Sequence, residues 1–275
     1  MSDRLIALFT DFGHRDAYVA QMKGAILTLN PQARLIDLNH EVDPFDIRGA
    51  AYLLEVSARF MPAETIFVTV IDPGVGFARR PLLLQTQAGK QYVGPDNGLF
   101  TSVLERQGLQ AAYELNKSAY FREPQVSATF HGRDIFGPVA AHLSLGVEPK
   151  DVGSPVTDPF TLTSTPPHWV KQTLVGEIRH IDHFGNVITN ITRADLEQVQ
   201  LGDLLTCTIG LQAYVVPFVR TYAEGEAGEL IALINSDDAF ELAISQGNAA
   251  ESVKTEIGHQ VQLRLGIETS RDASI

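Results

Sequence analysis

The sequence predicts an α/β layered domain with a mostly parallel sheet, followed by a mostly antiparallel β-barrel domain. Three observations carry that expectation. The first half alternates short apolar runs with stretches of helical periodicity, whereas the second half is a series of short strand-like runs separated by Gly, Asn and Asp. Between them lies a run rich in Pro, Ser and Thr, "GSPVTDPFTLTSTPPHW". At 275 residues the chain also exceeds the roughly 150 residues of one typical domain. The expected division is 1–155 for the α/β domain, 156–170 for a linker and 171–275 for the barrel.

In chain order, "LIALF" at 5–9 reads as a strand, and Tyr18, Met22, Ala25 and Ile26 recur at helical spacing after it. "RLIDL" at 34–38 is a second strand, followed by a helix marked by Ile47, Ala50, Ala51 and Leu54. "TIFVTVI" at 65–71 is apolar on both faces, as a strand covered by helices on both sides must be. Leu99, Val103 and Leu104 mark another helix, and "DIFGPVAAHLSLG" at 134–146 a further one, with Asp134 as its N-cap. Beyond the linker, "TLVGEIRHID", "NVITNI", "DLLTCTIG", "AYVVPFVRTY", "GELIALINS" and "VQLRLG" read as strands. Helical character there is confined to "RADLEQV" and "DAFELAIS".

Composition narrows the function classes. With 33 acidic against 21 basic residues, the net charge of −12 disfavours nucleic acid and anionic membranes as partners, because both draw on clustered Lys and Arg. No apolar run approaches the roughly 20 residues that span a bilayer, and "MSDRLIALFTDFG" has no signal-peptide pattern, so a cytoplasmic protein is expected. The single cysteine, Cys207, lies in an apolar strand and reads as a packed thiol.

Ligands of open α/β sheets bind beyond the carboxyl ends of the strands. Four polar clusters fall there: "FTDFG" with Asp11, "LNHEVDPF", "IDPGVG" with Asp72, and "YVGPDNG" with Asp96 and Asn97. Each alone has a plain structural reading as a cap or turn; their convergence on one rim points to a site. "TFHGRDIF" adds His131, which is either a satisfied half-buried histidine or a proton-handling group. In the second half "IDHFGNVITNI" sets Asp182 and Asn186 around a tight turn, and "INSDDAFELAISQGNAAE" carries Asn235, Ser236 and Asn248. "DFG" at 11–13 stands without the other kinase motifs, and neither GxxxxGK[ST] nor GxGxxG occurs. His180 and His183 with Asp182 read as spare polar residues, and no metal site is expected.

Taken in order, "TDFGHRDAYVAQMKG", "VIDPGVGFARR", "VGPDNGLF", "TFHGRDIFGPVAAHL", "DHFGNVITNI" and "INSDDAFELAISQGNAAE" resemble the S-adenosyl-L-methionine (SAM) hydroxide adenosyltransferases, adenosine-forming SAM hydrolases related to the fluorinase and chlorinase. The resemblance runs from about residue 4 to residue 267. It implies an N-terminal α/β domain, a C-terminal β barrel and a homotrimer with each site shared between neighbouring subunits. The implied reaction is SAM plus water giving adenosine and L-methionine, with SAM as substrate and no cofactor. It further implies that Asp72, Arg79 and His131 hold the attacking water or hydroxide, a set that the halogenating relatives lack. By the same resemblance Asp11 meets the ribose hydroxyls or the site floor, Phe45 lies along the ribose, Asp182 takes the methionine ammonium and Asn186 the adenine. Tyr222, or else Phe218, stacks on adenine; Ser236 meets the methionine carboxylate; Asn248 and Ala249 lie near adenine. Asp237 and Asp238 depart from the small, glycine-containing turn usual after that serine. The competing functions are a SAM-dependent halogenase and a non-catalytic adenosine or SAM binding protein.

Overall fold

The computed structural model describes residues 4–265. The chain forms two compact units that divide between Leu162 and Thr163. Residues 266–275, assigned by sequence to the barrel domain, lie outside the described residues.

The first unit runs β1 (Leu5–Thr10), α1 (Tyr18–Leu29), β2 (Arg34–Asn39), α2 (Ile47–Arg59), β3 (Ile66–Val70), β4 (Pro81–Thr86), β5 (Gln91–Pro95), α3 (Thr101–Gln107), β6 (Leu109–Glu114), α4 (Gly137–Ser144) and β7 (Ser154–Val156). The sheet order is β2-β1-β3-β5-β4-β6-β7. Alternation along β1 sends Ile6 and Leu8 towards Met22 and Ile26 of α1 and Val139 of α4, and Ala7 and Phe9 towards Ala50 and Leu54 of α2 and Val103 of α3. Both faces of the central strands are therefore covered, and a one-residue slip would exchange the two cores. Each such apolar side chain contributes about 1.5–3 kcal/mol when fully buried, which holds the strand ends in place for the chemistry described below.

The expectation of a mostly parallel sheet is corrected to a mixed one. β2, β1, β3 and β5 are parallel neighbours, but β4 runs antiparallel to β5 and to β6, and β6 antiparallel to β7. The cause is loop length: Gln87–Lys90 joins β4 to β5 as a tight turn, too short for the crossover that a parallel pair needs.

The expected helix at 134–146 is also revised. A π-helical turn, Gly132–Phe136, leads into α4, so Asp134 is inside the helical path and is not its N-cap. Pro138 has no N–H to give the carbonyl of Asp134, which instead accepts from the Arg122 amide at 2.9 Å. The Asp134 carboxylate holds the Ser127 amide and Arg133.

The second unit contains β8 (His168–Val170), β9 (Thr173–Ile181), β10 (Val187–Thr192), β11 (Leu204–Ile209), β12 (Gln212–Pro217), β13 (Leu230–Ile234), β14 (Ala239–Ile244), α5 (Ala249–Val253) and β15 (Gln260–Leu265). Its antiparallel sheet has the order β12-β11-β15-β9-β10-β14-β13, with β8 added on β9. A bridge between Phe218 and Ala232 draws the two outer strands together, so the sheet is nearly closed and barrel-like. The run read as a linker supplies the last residue of β7 and, at its other end, β8.

"DAFELAIS", expected to be helical, is β14. Phe240 and Leu242 enter the main core, whereas Ala243 packs with Ile231 and Leu233 on the opposite face, a period of two. A six-residue apolar run fits either period, and pairing with β10 and β13 decides it. "RADL" forms a single 3₁₀ turn, and α5, capped by Asn248, is a helix that the sequence did not announce. Cys207 is fully buried in β11, and burial pushes its thiol up to about 12. Among the described residues no helix is long and apolar enough to cross a membrane.

Candidate active site

The carboxyl ends of β1, β2 and β3 are adjacent, so the loops that follow them share a rim. A cavity of about 380 Å³ opens there, lined by Asp11, Phe45, Asp72 and His131 among others. Three of the four sequence clusters thus meet at one place. The fourth does not line it: Asp96 holds Arg80 and the Phe160 amide, and Asn97 donates to the Ile71 carbonyl at 2.9 Å, bracing the residue before Asp72.

The loop after β3 folds back on itself. Val75 N–H bonds to the Asp72 carbonyl and Phe77 N–H to that of Gly74. Gly76 has φ +80°, and a Cβ there would stand 2.4 Å from the Ala128 carbonyl oxygen, so both the backbone conformation and the space require glycine. The turn returns Arg79 to Asp72. Arg79 Nε donates to Asp72 Oδ1 and Oδ2 at 3.0 and 3.1 Å, and Nη2 pairs with Oδ2 as well. Both side chains are more than nine-tenths buried. The guanidinium also lies 5.5 Å from the centre of the Phe136 ring.

Arg79 Nη2 donates in addition to His131 Nδ1 at 2.7 Å. A guanidinium offers only donors, so Nδ1 is the acceptor and the ring proton sits on Nε2. Burial, reinforced by the Arg79 charge, lowers the His131 pKa, while Asp72 and Asp134 oppose the shift. Arg79 Nη1 is buried with no partner among the described residues.

Asp11 is anchored through its neighbours. Its Oδ2 accepts from the Phe45 amide at 3.1 Å, and Phe45 takes φ +69°, a strained conformation for an aromatic residue that leaves its ring 70% exposed. Buried His40 holds the other flank: Nδ1 meets Thr10 Oγ1 at 2.7 Å, and its carbonyl accepts from Gly13. Burial raises the Asp11 pKa against the Phe45 hydrogen bond, and the charge of Asp72 adds to the rise. Tyr18, grouped by periodicity with core residues, is instead 48% exposed and lines the cavity with Phe12 and Phe130, the three rings 5.3–5.9 Å apart.

In the second unit, Asp182 Oδ1 accepts from the amides of Phe184 and Asn186, and Oδ2 from Asn186 Nδ2 at 2.9 Å. Asn248 caps α5 through the Glu251 amide and packs directly over Gly185, so the Asp182–Asn186 turn and the start of α5 form one patch. Ala249 is fully buried beside them. Tyr222 is 44% exposed, whereas Phe218 is a core residue at 5%. Ser236 is exposed in the turn between β13 and β14.

The family model described as the SAM hydroxide adenosyltransferase N-terminal domain matches residues 6–153, and that of the C-terminal domain matches residues 176–262. The chain belongs to the SAM hydroxide adenosyltransferase family. It is 36% identical to the (R)-S-adenosyl-L-methionine hydrolase of Salinispora tropica, over 95% of this chain and 98% of that one. It is 32% identical to the fluorinase of Actinoplanes sp., over 87% and 90%. A solved structure of an uncharacterized conserved protein from Thermotoga maritima superposes with a TM-score of 0.92 at 32% identity, covering 94% of this chain and all of that one.

One residue beside these site residues escaped the sequence reading. Glu241 is 2% exposed in β14, and its carboxylate accepts from Tyr222 Oη at 2.7 Å and from Asn235 Nδ2 at 3.0 Å. A charged residue inside the apolar run "AFELAI" was the available signal, masked by the helical reading that would have turned it to solvent.

Proposed function

We propose that the protein hydrolyses SAM to adenosine and L-methionine by attack of an oxygen nucleophile on the ribose C5′. The observation that carries this reading is the Asp72–Arg79–His131 constellation, in which Arg79 holds together the Asp72 and His131 that line a cavity shared with Phe12, Tyr18, Phe45 and Phe130. A water oxygen set between Asp72 and His131 would accept from His131 Nε2–H and give its proton to Asp72. His131 is a poor base in this arrangement, because Nδ1 is engaged by Arg79 and Nε2 already carries the proton. The new O–C5′ bond forms as C5′–S breaks, and the electron pair leaves with sulfur. Methionine departs as a neutral thioether from a positive sulfonium, so no general acid is needed. Positioning one water and excluding bulk solvent is the remaining work.

For binding, the family resemblance supports Asp11 and Phe45 at the ribose. In the second unit it supports Asp182 at the methionine ammonium, Ser236 at its carboxylate, Tyr222 stacked on adenine, and Asn186, Asn248 and Ala249 around the adenine edge. Tyr222 is preferred over Phe218 because its ring is exposed. The same resemblance supports a homotrimer whose sites are completed between neighbouring subunits, acting without a cofactor, and a cytoplasmic location is part of the proposal.

The test is incubation with SAM in halide-free buffer, with adenosine and methionine resolved by liquid chromatography. Equimolar products from the wild type, lost in Asp72→Ala, are the expected result; loss of SAM only when halide is added would establish the halogenase instead. Intact SAM with calorimetric binding would leave a binding protein. Light scattering tests the trimer, and co-refolding Asp72→Asn with Asp182→Asn should recover part of the activity if sites are shared between subunits.

A further inference from the structure

Glu241 occupies a position where a carboxylate is hard to keep. It lies mid-strand in β14, opposite Ile188 of β10 and Leu233 of β13, and between Phe240 and Leu242 in sequence. Burial raises its pKa, and the nearby charges of Asp182 and Asp237 raise it further. A buried acid held by neutral donors is retained only where its hydrogen bonds matter.

Both oxygens are in use. Oε1 fixes the Tyr222 hydroxyl, and Oε2 fixes the amide nitrogen of Asn235, which settles the direction in which that amide points. The opposite end of the same amide, Asn235 Oδ1, then accepts from the backbone N–H of Asp237 at 2.9 Å and of Ala239 at 3.1 Å. The turn that presents Ser236 is therefore organised by Asn235, and Asn235 by Glu241. Asp182 acts electrostatically on both Glu241 and Tyr222, so it stands close to the same centre.

We propose that Glu241 is a positioning residue for substrate binding, holding the Tyr222 ring and the Ser236 turn in one fixed relation. The proposal rests on the reading of Tyr222 and Ser236 as substrate contacts. Glu241 is too deeply buried to touch the substrate itself, so its effect falls on affinity and leaves the chemical step nearly intact.

The experiment measures steady-state SAM hydrolysis and calorimetric adenosine binding for wild type, Glu241→Ala, Glu241→Gln and Tyr222→Phe, with circular dichroism confirming each fold. Glu241→Ala should raise KM and the adenosine Kd by about tenfold, the loss of one or two hydrogen bonds, with kcat within about threefold. Glu241→Gln should restore most of that affinity, since its oxygen can accept from Asn235 and its nitrogen can donate to the Tyr222 oxygen. Tyr222→Phe, a half-exposed change that leaves the fold intact, should reproduce part of the rise even if Glu241→Ala does not fold. Unchanged KM and Kd in folded Glu241→Ala overturn the proposal, as does a Gln variant as impaired as the Ala one, or an unaltered Tyr222→Phe. If the wild type leaves SAM intact, the hydrolase reading fails, and adenosine binding alone still decides the role of Glu241.

Discussion

The two units carry their carboxylates in opposite electrostatic settings. In the first, Asp72 is neutralised by Arg79, and that same cation fixes His131, so the group proposed to handle a proton is already compensated. In the second, the charges of Asp182 and Asp237 act on Glu241, whose carboxylate is held by two neutral donors, Tyr222 Oη and Asn235 Nδ2. In the first region the Asp72 carboxylate is balanced before any ligand arrives. The other holds negative charge that a cation would relieve, and SAM brings two positive centres, an ammonium and a sulfonium. The contrast supports the proposed division, with the chemical step in the first region and the methionine ammonium and adenine held by the second.

The strongest way to break this division is Asp72→Asn. It removes the proposed proton acceptor while keeping the shape, and kcat should fall by about a thousandfold, within the range of general-base losses, with adenosine affinity nearly unchanged. A comparable fall in affinity would show that Asp72 binds substrate. The converse change, Asp182→Asn, deletes the proposed ammonium partner; KM for SAM should rise by about 30-fold, the scale of a lost charge-assisted contact, with kcat nearly constant. Adenosine lacks the ammonium, so its Kd should rise far less, only by what the loosened hold on Asn186 costs. A matching rise for adenosine would remove Asp182 from that role.

A smaller effect tests how the first region is held. Gly76→Ala forces a side chain into a left-handed residue against the Ala128 carbonyl, costing about 1–3 kcal/mol of stability. Since the loop aims Arg79, kcat should drop by about tenfold as well, measured at a temperature where the variant is folded. Lost stability with full kcat would separate the loop from the alignment of Arg79.

How far the sequence could be read depended on which physical rule governed each segment. Asp11, Asp72 and Phe45 were legible because strand ends of a layered α/β sheet share a rim, and that rule needs only the strands. Asp96 and Asn97 obeyed the same rule yet bind Arg80, Phe160 and Ile71, because a polar residue at a strand end can equally satisfy its own loop. The mixed sheet was missed because β4 and β5 are joined by a tight turn, and only a crossover helix makes a pair parallel. Glu241 was lost with β14: six residues are too few to separate a period of two from one of 3.6, and the wrong period sends the carboxylate to water. Tyr18 shows the reverse failure, a ring in helical register with Met22 and Ile26 that opens onto a cavity instead of the core.

The finest distinction between the two regions lies in the ring of His131. Burial and the Arg79 charge hold its pKa below the ordinary value of 6.5, so it stays neutral at pH 7 and keeps Nδ1 free to accept from Arg79. The sign of the linkage follows. Below pH 6.5 the unfolded chain takes up the proton before the folded one does, so this group's contribution to stability is complete above that pH and declines as acid approaches the folded pKa. The kcat/KM profile should share that acid limb, because protonated Nδ1 turns a hydrogen bond with Arg79 into a repulsion. A nitrogen-detected NMR titration checks the assignment by opposite shifts. Arg79→Gln removes a charge that lowers the pKa and should move the His131 midpoint up; Asp72→Asn removes one that raises it and should move the midpoint down. Two shifts in the same direction would mean that burial alone sets the state of His131, and that the three side chains do not act as one electrostatic unit.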